Sequence, residues 1–440
     1  MSSAQEGAGR IDAPRLVAYD VLVAVREDDA YANLVLPLLL RERRLEARDA
    51  AFATELVGGT LRGLGRYDAV IDHLVSRVPE PAVRDALRLG AHQVLAMRVP
   101  DHAAVTSTVE LARRRVGHRS AGFVNAVMRR LVARDLAGWM DVLDAPVHVR
   151  ASHPEWVVDA LAESLDRPEE LAALLAADNE RPRVTLVALP GLASVQELIG
   201  RASISPIAVE VESGDPGEVP AVGAGRARVQ DAGSQLVALA LARAEVEGRD
   251  ERWLDVCAGP GGKAALLAAL GREHGARVLA NERLVHRARL VRQAVGSTGA
   301  TVVVGDGTRP PWAEGTFDRV LVDAPCSGLG ALRRRPESRW RRTPTDVDHL
   351  VGLQRALLLA ALDSARAGGV VASATCSPIL AETVEVVRGV LAERTDVRLE
   401  DATQLLPEAV DAASAQMPEA VQLWPHRHGT DAMFLALLRV

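Results

Sequence analysis

The chain has 440 residues, 48% of them hydrophobic, and a formal net charge of −6. That length calls for two or three domains with sizeable cores, and that charge excludes a purely electrostatic nucleic-acid binder. Three cysteines are too few for a disulfide framework, no apolar run approaches the roughly 20 residues a bilayer requires, and Met1-Ser-Ser-Ala-Gln-Glu lacks a signal-peptide pattern, so a reducing cytoplasm is the expected compartment.

From Ala13 to about Asp135, apolar residues recur at helical spacing, which predicts helices over 13–26, 32–43, 48–64, 67–77, 82–97, 103–116 and 120–134. Pro81 at one helix start, Asp101 ahead of another and Gly117 after a basic last turn agree with that division. Residues 1–140 therefore read as an all-α bundle. A linker around Ala145–Pro154 leads into a small α+β subdomain, residues 150–228, with a strand at Val184–Val187 and Pro/Gly-rich loops. From 229 to 440 strand and helix alternate, with strands expected near 252–256, 277–281, 301–304, 318–322 and 369–374. This pattern predicts a parallel, Rossmann-like α/β sheet wound on both faces.

All three cysteines and the only lysine fall in three short turns, Asp255-Val-Cys-Ala-Gly-Pro-Gly-Gly-Lys263, Asp323-Ala-Pro-Cys-Ser-Gly-Leu-Gly330 and Ala374-Thr-Cys-Ser-Pro378. The first joins a strand to a helix, and its glycines let a ligand approach backbone amides at a helix N-terminus. It is neither a triphosphate loop, since Ala264 stands where a metal-binding Ser/Thr belongs, nor a G-x-G-x-x-G turn. Glu282 ends the next strand, placed to accept from ribose hydroxyls, and Asp306 ends the third, placed to meet an adenine edge. The series fits an adenosyl ligand without phosphates. The candidate cofactor-binding set is Cys257, Ala258, Gly259, Pro260, Gly261, Gly262, Lys263, Glu282, Arg287, Asp306 and Asp323.

The other two turns point to the reaction. Cys326 and Cys376 each follow a strand, so both thiols should reach the carboxyl edge of the sheet. Cytosine C5 is a poor nucleophile toward a methyl sulfonium, but a thiolate adding at C6 makes C5 an enamine carbon that can attack. A carboxylate such as Asp323 against the base stabilises the charge created in the ring. A second thiol can assist release. The run Arg333-Arg-Arg-Pro-Glu-Ser-Arg-Trp-Arg-Arg342 places Trp340 among Arg333, Arg334, Arg335, Arg339, Arg341 and Arg342, and reads as phosphate clamping with stacking planes for splayed bases. Arg113–Arg115 and Arg129-Arg130 form a second candidate patch. A base must leave its helix to reach such thiols, so flipping or a single-stranded target is implied.

At these residues the chain resembles the RsmB/Sun family of ribosomal RNA (cytosine-C5)-methyltransferases, over almost its whole length. Arg15-Leu-Val-Ala-Tyr-Asp-Val-Leu, Glu55-Leu-Val-Gly-Gly-Thr-Leu-Arg62, Leu87-Arg-Leu-Gly-Ala-His-Gln93 and Gly122-Phe-Val-Asn-Ala-Val-Met-Arg-Arg130 are similar to that family's N-terminal signatures. The resemblance implies a NusB-like RNA-binding bundle, a class I methyltransferase domain, S-adenosyl-L-methionine as cofactor and 16S ribosomal RNA as substrate. It implies a monomer that uses neither metal nor membrane. By the same resemblance Cys376 is the nucleophile, Cys326 the cysteine of product release, and Glu282, Asp306 and Asp323 the cofactor acids. Ser373, Val187 and Gly259 depart from the family's usual residues, and Glu382-Thr383 stands where Glu-Asn is more usual. Two other readings stay open: a transfer-RNA methyltransferase with the same catalytic residues, and a non-catalytic RNA-binding factor that kept the fold.

Overall fold

The computed structural model describes residues 13–212 and 214–440, so the expectation about Met1-Ser-Ser-Ala-Gln-Glu lies outside the described residues. They divide into two compact units. One comprises the chain up to Asp159 together with Asn179–Arg181 and Leu332–Arg341; the other comprises Ala160–Asp178, Pro182–Ala331 and Arg342–Val440. The division differs from the one expected, because two internal segments fold with the helices rather than with the residues around them.

The helical unit contains the helices Ala13–Glu27, Ala32–Glu42, Ala47–Arg62, Leu64–Leu74, Pro81–Leu95, Asp101–Arg115 and His118–Leu131. Their apolar stripes meet around Leu56, Leu61, Leu87, Leu89, Leu111 and Met128, all fully buried. The helix expected over 67–77 starts at Leu64, one residue past Gly63, where an added Cβ would meet the Tyr67 ring at 2.4 Å. Gly90 allows a close helix crossing, since a Cβ there would lie 2.7 Å from Met128 Sδ. A buried carboxylate, Asp85 of Pro81–Leu95, ties that helix to the first through Arg26 at 2.8 Å and also meets Arg88 of its own helix at 2.9 Å.

In the second unit a small antiparallel sheet pairs Val184–Ala188 with Ala208–Val211 on one side and Ala227–Val229 on the other. The main sheet comprises β1 (Arg252–Asp255), β2 (Arg277–Asn281), β3 (Thr301–Val303), β4 (Phe317–Asp323), β5 (Ala365–Thr375), β6 (Arg398–Glu400), β7 (Ala413–Ser414), β8 (Met417–Gln422) and β9 (Phe434–Arg439). Its order is β7-β8-β9-β5-β4-β1-β2-β3, with β6 beside β9. Strands β1 to β5 pair in parallel, as expected. β9 then pairs antiparallel with β5, and β8 with β9, so the sheet is mixed. The link from β8 to β9 is short enough to favour antiparallel neighbours, whereas a parallel step needs a longer crossover, supplied by a helix between β1 and β2, β2 and β3, and β4 and β5.

Alternation along the strands feeds two cores. Trp253, Leu321, Ala372 and Leu437 join helices Ala232–Arg243 and Gly262–Glu273, while Leu254, Val320, Val371 and Leu438 join Pro344–Ser364 and Val384–Glu393. Buried charges in β4 anchor the loops beneath. Asp318, fully buried, accepts from Arg249 at 3.0 Å, Arg366 at 2.6 Å and the amides of Glu251 and Arg252 at 2.8 Å. Arg319 donates to the carbonyls of Leu241 and Ala244, closing the C-terminus of helix Ala232–Arg243. No helix among the described residues is long and apolar enough to cross a membrane.

Glu170 fastens the turn before helix Leu171–Ala177 to the 425–428 helix, accepting from Arg427 at 2.6 Å with His426 at 2.8 Å and Arg167 at 3.3 Å. Arg427, more than the others, pulls its carboxyl down to about 2. A depressed folded value stabilises above the unfolded pKa of about 4.3 and is lost as pH falls through it toward 2. Denaturant midpoints of wild type and Glu170→Gln should therefore differ at pH 7 and converge as pH drops from about 4.5 to 2. A constant difference across that window would remove this role from Glu170.

Candidate active site

β1 is flanked by β2 and β4, the point where the strand order reverses and a crevice opens at the carboxyl ends. The chain leaves β1 at Asp255 and turns through Cys257–Lys263 into helix Gly262–Glu273. Gly261 has φ +115°, and a Cβ on it would lie 2.3 Å from Ala294 Cβ, so only glycine fits. A Cβ on Gly259 would meet Glu282 Oε2 at 2.0 Å, which places the loop directly on that carboxylate. Arg287 Nη2 donates to Gly259 O at 2.7 Å and lies 3.6 Å, through Nε, from Glu282. Glu282 also accepts from Leu284 N at 2.9 Å. Asn281 donates to the carbonyls of Val256 and Gly305, drawing three strand ends together. Asp306 stands on the third of these ends, exposed, with Oδ1 held by Thr308 at 2.8 Å and 3.0 Å.

The thiols come together at the same edge. Asp323 and Ala374 are register partners on β4 and β5, so the following turns leave the sheet side by side. Ala324 N donates to Ala374 O and Gly330 N to Cys376 O, both at 2.9 Å. Any Cβ on Gly330 would strike Ala432 O at 2.2 Å. Cys326 Sγ and Cys376 Sγ are 3.4 Å apart. Lys263 Nζ donates to Asp323 Oδ2 at 2.8 Å. Burial works against the Lys263 ammonium, yet Asp323 first, then Cys376 and Asp255, hold its pKa above the ordinary value. The Cys326 thiol is pushed well up by its contact with Cys376 and by burial, and Cys257 is pushed up by burial. Cys257 is therefore a protonated wall of the loop rather than a nucleophile.

Two acceptors beside the loop have no protein partner, Asp255 Oδ2 and Gln230 Oε1, and both side chains are buried. Burial and the charge of Asp323 push the Asp255 carboxyl up to about 8. Such orphaned acceptors beside Glu282 fit a ligand carrying an ammonium and hydroxyl groups.

A family model described as 16S rRNA methyltransferase RsmB/F matches residues 241–439, and the NusB family model matches 12–133. Ribosomal RNA small subunit methyltransferase B of Escherichia coli O6:K15:H31 is 31% identical over 87% of this chain and 91% of that one. The chain belongs to the RsmB/F family of ribosomal RNA methyltransferases. A Mycobacterium tuberculosis protein of strain H37Rv, Rv1407, is 50% identical over 98% of this chain and 97% of its own length. The crystal structure of PH0851 shares the fold, with a TM-score of 0.82 at 20% identity over 98% of this chain and all of that one. Members of this family are S-adenosylmethionine-dependent, and the helical unit here is their NusB domain.

In this family member several arginines of the run are engaged inside the protein, while Trp340 stays exposed. Arg339 is fully buried and donates through Nη1 to Ser152 O at 2.9 Å and Asn179 Oδ1 at 2.8 Å. Arg341 donates at 3.0 Å to the carbonyls of Val25, in the last turn of helix Ala13–Glu27, and of Asp29, just past its end. Arg335 and Arg341 lie 4.7 and 5.1 Å from the centre of the Tyr31 ring. Arg333 is buried, Arg334 half-buried, and Trp340 covers Gly65, where a Cβ would come within 2.7 Å of its ring. Arg342 donates to Ser327 O at 3.2 Å and so supports the Cys326 turn. The run is a strap whose guanidiniums meet internal carbonyls and an aromatic ring, partners that a linear sequence does not reveal. Of the second patch, Arg114 is paired with Glu110 at 2.8 Å and Arg115 with Asp20 at 2.7 Å.

The residues missed by sequence reasoning as members of the site are Asp255 and Glu382. Asp255 was visible as the acid ending the first strand; nothing local to Glu382 marks the partners it finds. Arg339→Ala should destabilise the helical unit by about 3 kcal/mol, from lost packing and two stranded acceptors. The salt dependence of RNA affinity should stay unchanged, measured by filter binding across a salt series. A slope reduced by about one would restore Arg339 to phosphate contact.

Proposed function

We propose that the chain transfers a methyl group from S-adenosylmethionine to C5 of a cytosine in 16S ribosomal RNA, through a covalent bond between Cys376 and C6. The observation that carries this reading is the thiol pair at 3.4 Å beside the Lys263–Asp323 ion pair, at the strand ends that hold the glycine loop. Bound S-adenosylmethionine supplies an electrophilic methyl. Glu282, with the loop against it, would accept from its ribose, and Asp255 and Gln230 would take its ammonium.

Cys376 adds to C6 as a thiolate, and Lys263, electrostatically coupled to it, offsets that negative charge. Asp323, oriented by Lys263, accepts from the cytosine amine as electrons move into the ring. C5 then takes the methyl group, and solvent water removes the C5 proton as the C6–S bond breaks and Cys376 leaves. Cys326 is suited to that exit because it stays a protonated thiol and can donate to the departing sulfur. Three free cysteines suit a reducing, cytoplasmic compartment.

Glu282→Ala should weaken S-adenosylmethionine binding by about 1.5–3 kcal/mol, the value of a hydrogen bond to a charged group. Unchanged calorimetric affinity in the folded variant would remove Glu282 from the cofactor site.

The cysteines should separate in a denaturing gel after incubation with target RNA and cofactor. Cys376→Ala blocks entry and gives no adduct; Cys326→Ala blocks exit and accumulates one. A trapped band from Cys376→Ala and none from Cys326→Ala would reverse the two roles.

A further inference from the structure

Behind the two cysteine turns lies Glu382, 1% exposed, on neither strand and in no contact with the glycine loop that the structure records. Its Oε1 accepts from Ser327 N at 2.7 Å and from Gln354 Nε2 at 3.0 Å. Its Oε2 accepts from Ser327 Oγ at 2.5 Å and Ser377 Oγ at 2.6 Å. Ser327 follows Cys326 and Ser377 follows Cys376. Gln354 extends the network by donating to Pro325 O at 2.9 Å, on the other side of Cys326. One buried carboxylate thus receives four hydrogen bonds, three of them from the residues next to the thiols.

We propose that Glu382 is the positioning residue of this site, a clamp that ties the Cys326 turn to the Cys376 turn and sets the contact between the two thiols. This rests on the reading that both cysteines act on the base. A carboxylate suits the place because every surrounding group is a donor, and a buried anion persists only when its lone pairs are so filled. Its charge acts in the same direction as its geometry. After the Cys376 contact and burial, the charges of Cys376, Glu382 and Asp323 keep Cys326 protonated, while Lys263 faces Asp323 and Cys376. The clamp therefore holds a thiol that stays protonated, ready to donate, against one that attacks and then leaves.

The test compares Glu382→Gln and Glu382→Ala with wild type in two measurements. The first is the rate at which diamide, itself reduced to the hydrazine, oxidises Cys326 and Cys376 to a disulfide, mapped by mass spectrometry. This rate reports the thiol contact whether or not methyl transfer occurs. The second is kcat with unmodified RNA, alongside the affinities for RNA and cofactor. Glu382→Gln can keep the network, since the serine hydroxyls can rotate to accept from its amide, and both rates should stay within about tenfold of wild type. Glu382→Ala should slow both by about a hundredfold, with the two affinities unchanged. Should Glu382→Ala fail to fold, Ser377→Ala removes one hydrogen bond and should slow both about tenfold.

Wild-type rates in folded Glu382→Ala or Ser377→Ala would overturn the proposal. So would equal loss in the Gln and Ala variants, which would make charge rather than position the function. Absence of an adduct from both cysteine variants would instead sink the covalent reading, and the disulfide rate would still decide the clamp.

Discussion

The parallel pairing of β4 with β5 is the constraint on which the site depends. Asp323 stands opposite Ala374, so the turns that follow emerge at one edge with Cys326 and Cys376 in contact. β1 lies on the other side of β4 and delivers the glycine loop and Lys263 to the same edge. In a sheet whose side chains alternate between faces, a one-residue slip would exchange the two buried cores, so the hydrophobic pattern itself enforces the register. Catalytic geometry is thereby secured by packing well below the site.

Charge is distributed sparingly at that edge. Lys263 and Asp323 neutralise each other through a direct hydrogen bond, while Asp255, pushed up to about 8 by burial and by Asp323, ionises readily only where a cation comes to face it. Burying an ion pair is costly unless its remaining valences are filled, and here Cys376 and the orphaned acceptors lie close by to interact. The two sulfurs share a contact but face different charges. In the proposed mechanism that asymmetry, rather than any difference between the cysteines as residues, divides attack from release.

Arginine serves largely as an internal fastener. Arg319 closes a helix end inside the sheet unit, and Arg339 and Arg341 bind carbonyls of the helical unit. A planar guanidinium can reach several carbonyls at once, which a compact ammonium cannot do from one position. The chain's one lysine is kept where a point charge is wanted, against a single carboxylate oxygen.

Periodicity was enough to read the helices between 13 and 131 and strands β1 to β5, because both depend on which face of a local element is apolar. The strand-end placement of the glycine loop, Glu282, Asp323 and the two cysteines was also legible, since a turn that follows an apolar run is a local signal. What sequence could not show were interactions made across distance. The helix break at Gly63 depends on the Tyr67 ring, and the antiparallel edge depends on β9 finding β5. The arginine run looked solvated because its carbonyl partners lie some 150 to 300 residues away in the chain. Glu382 was one acid among 58 until folding placed four donors around it. Local pattern determined the elements and the reactive groups; only tertiary structure, by choosing each buried polar group's partner, decided which charges hold the protein together and which remain for chemistry.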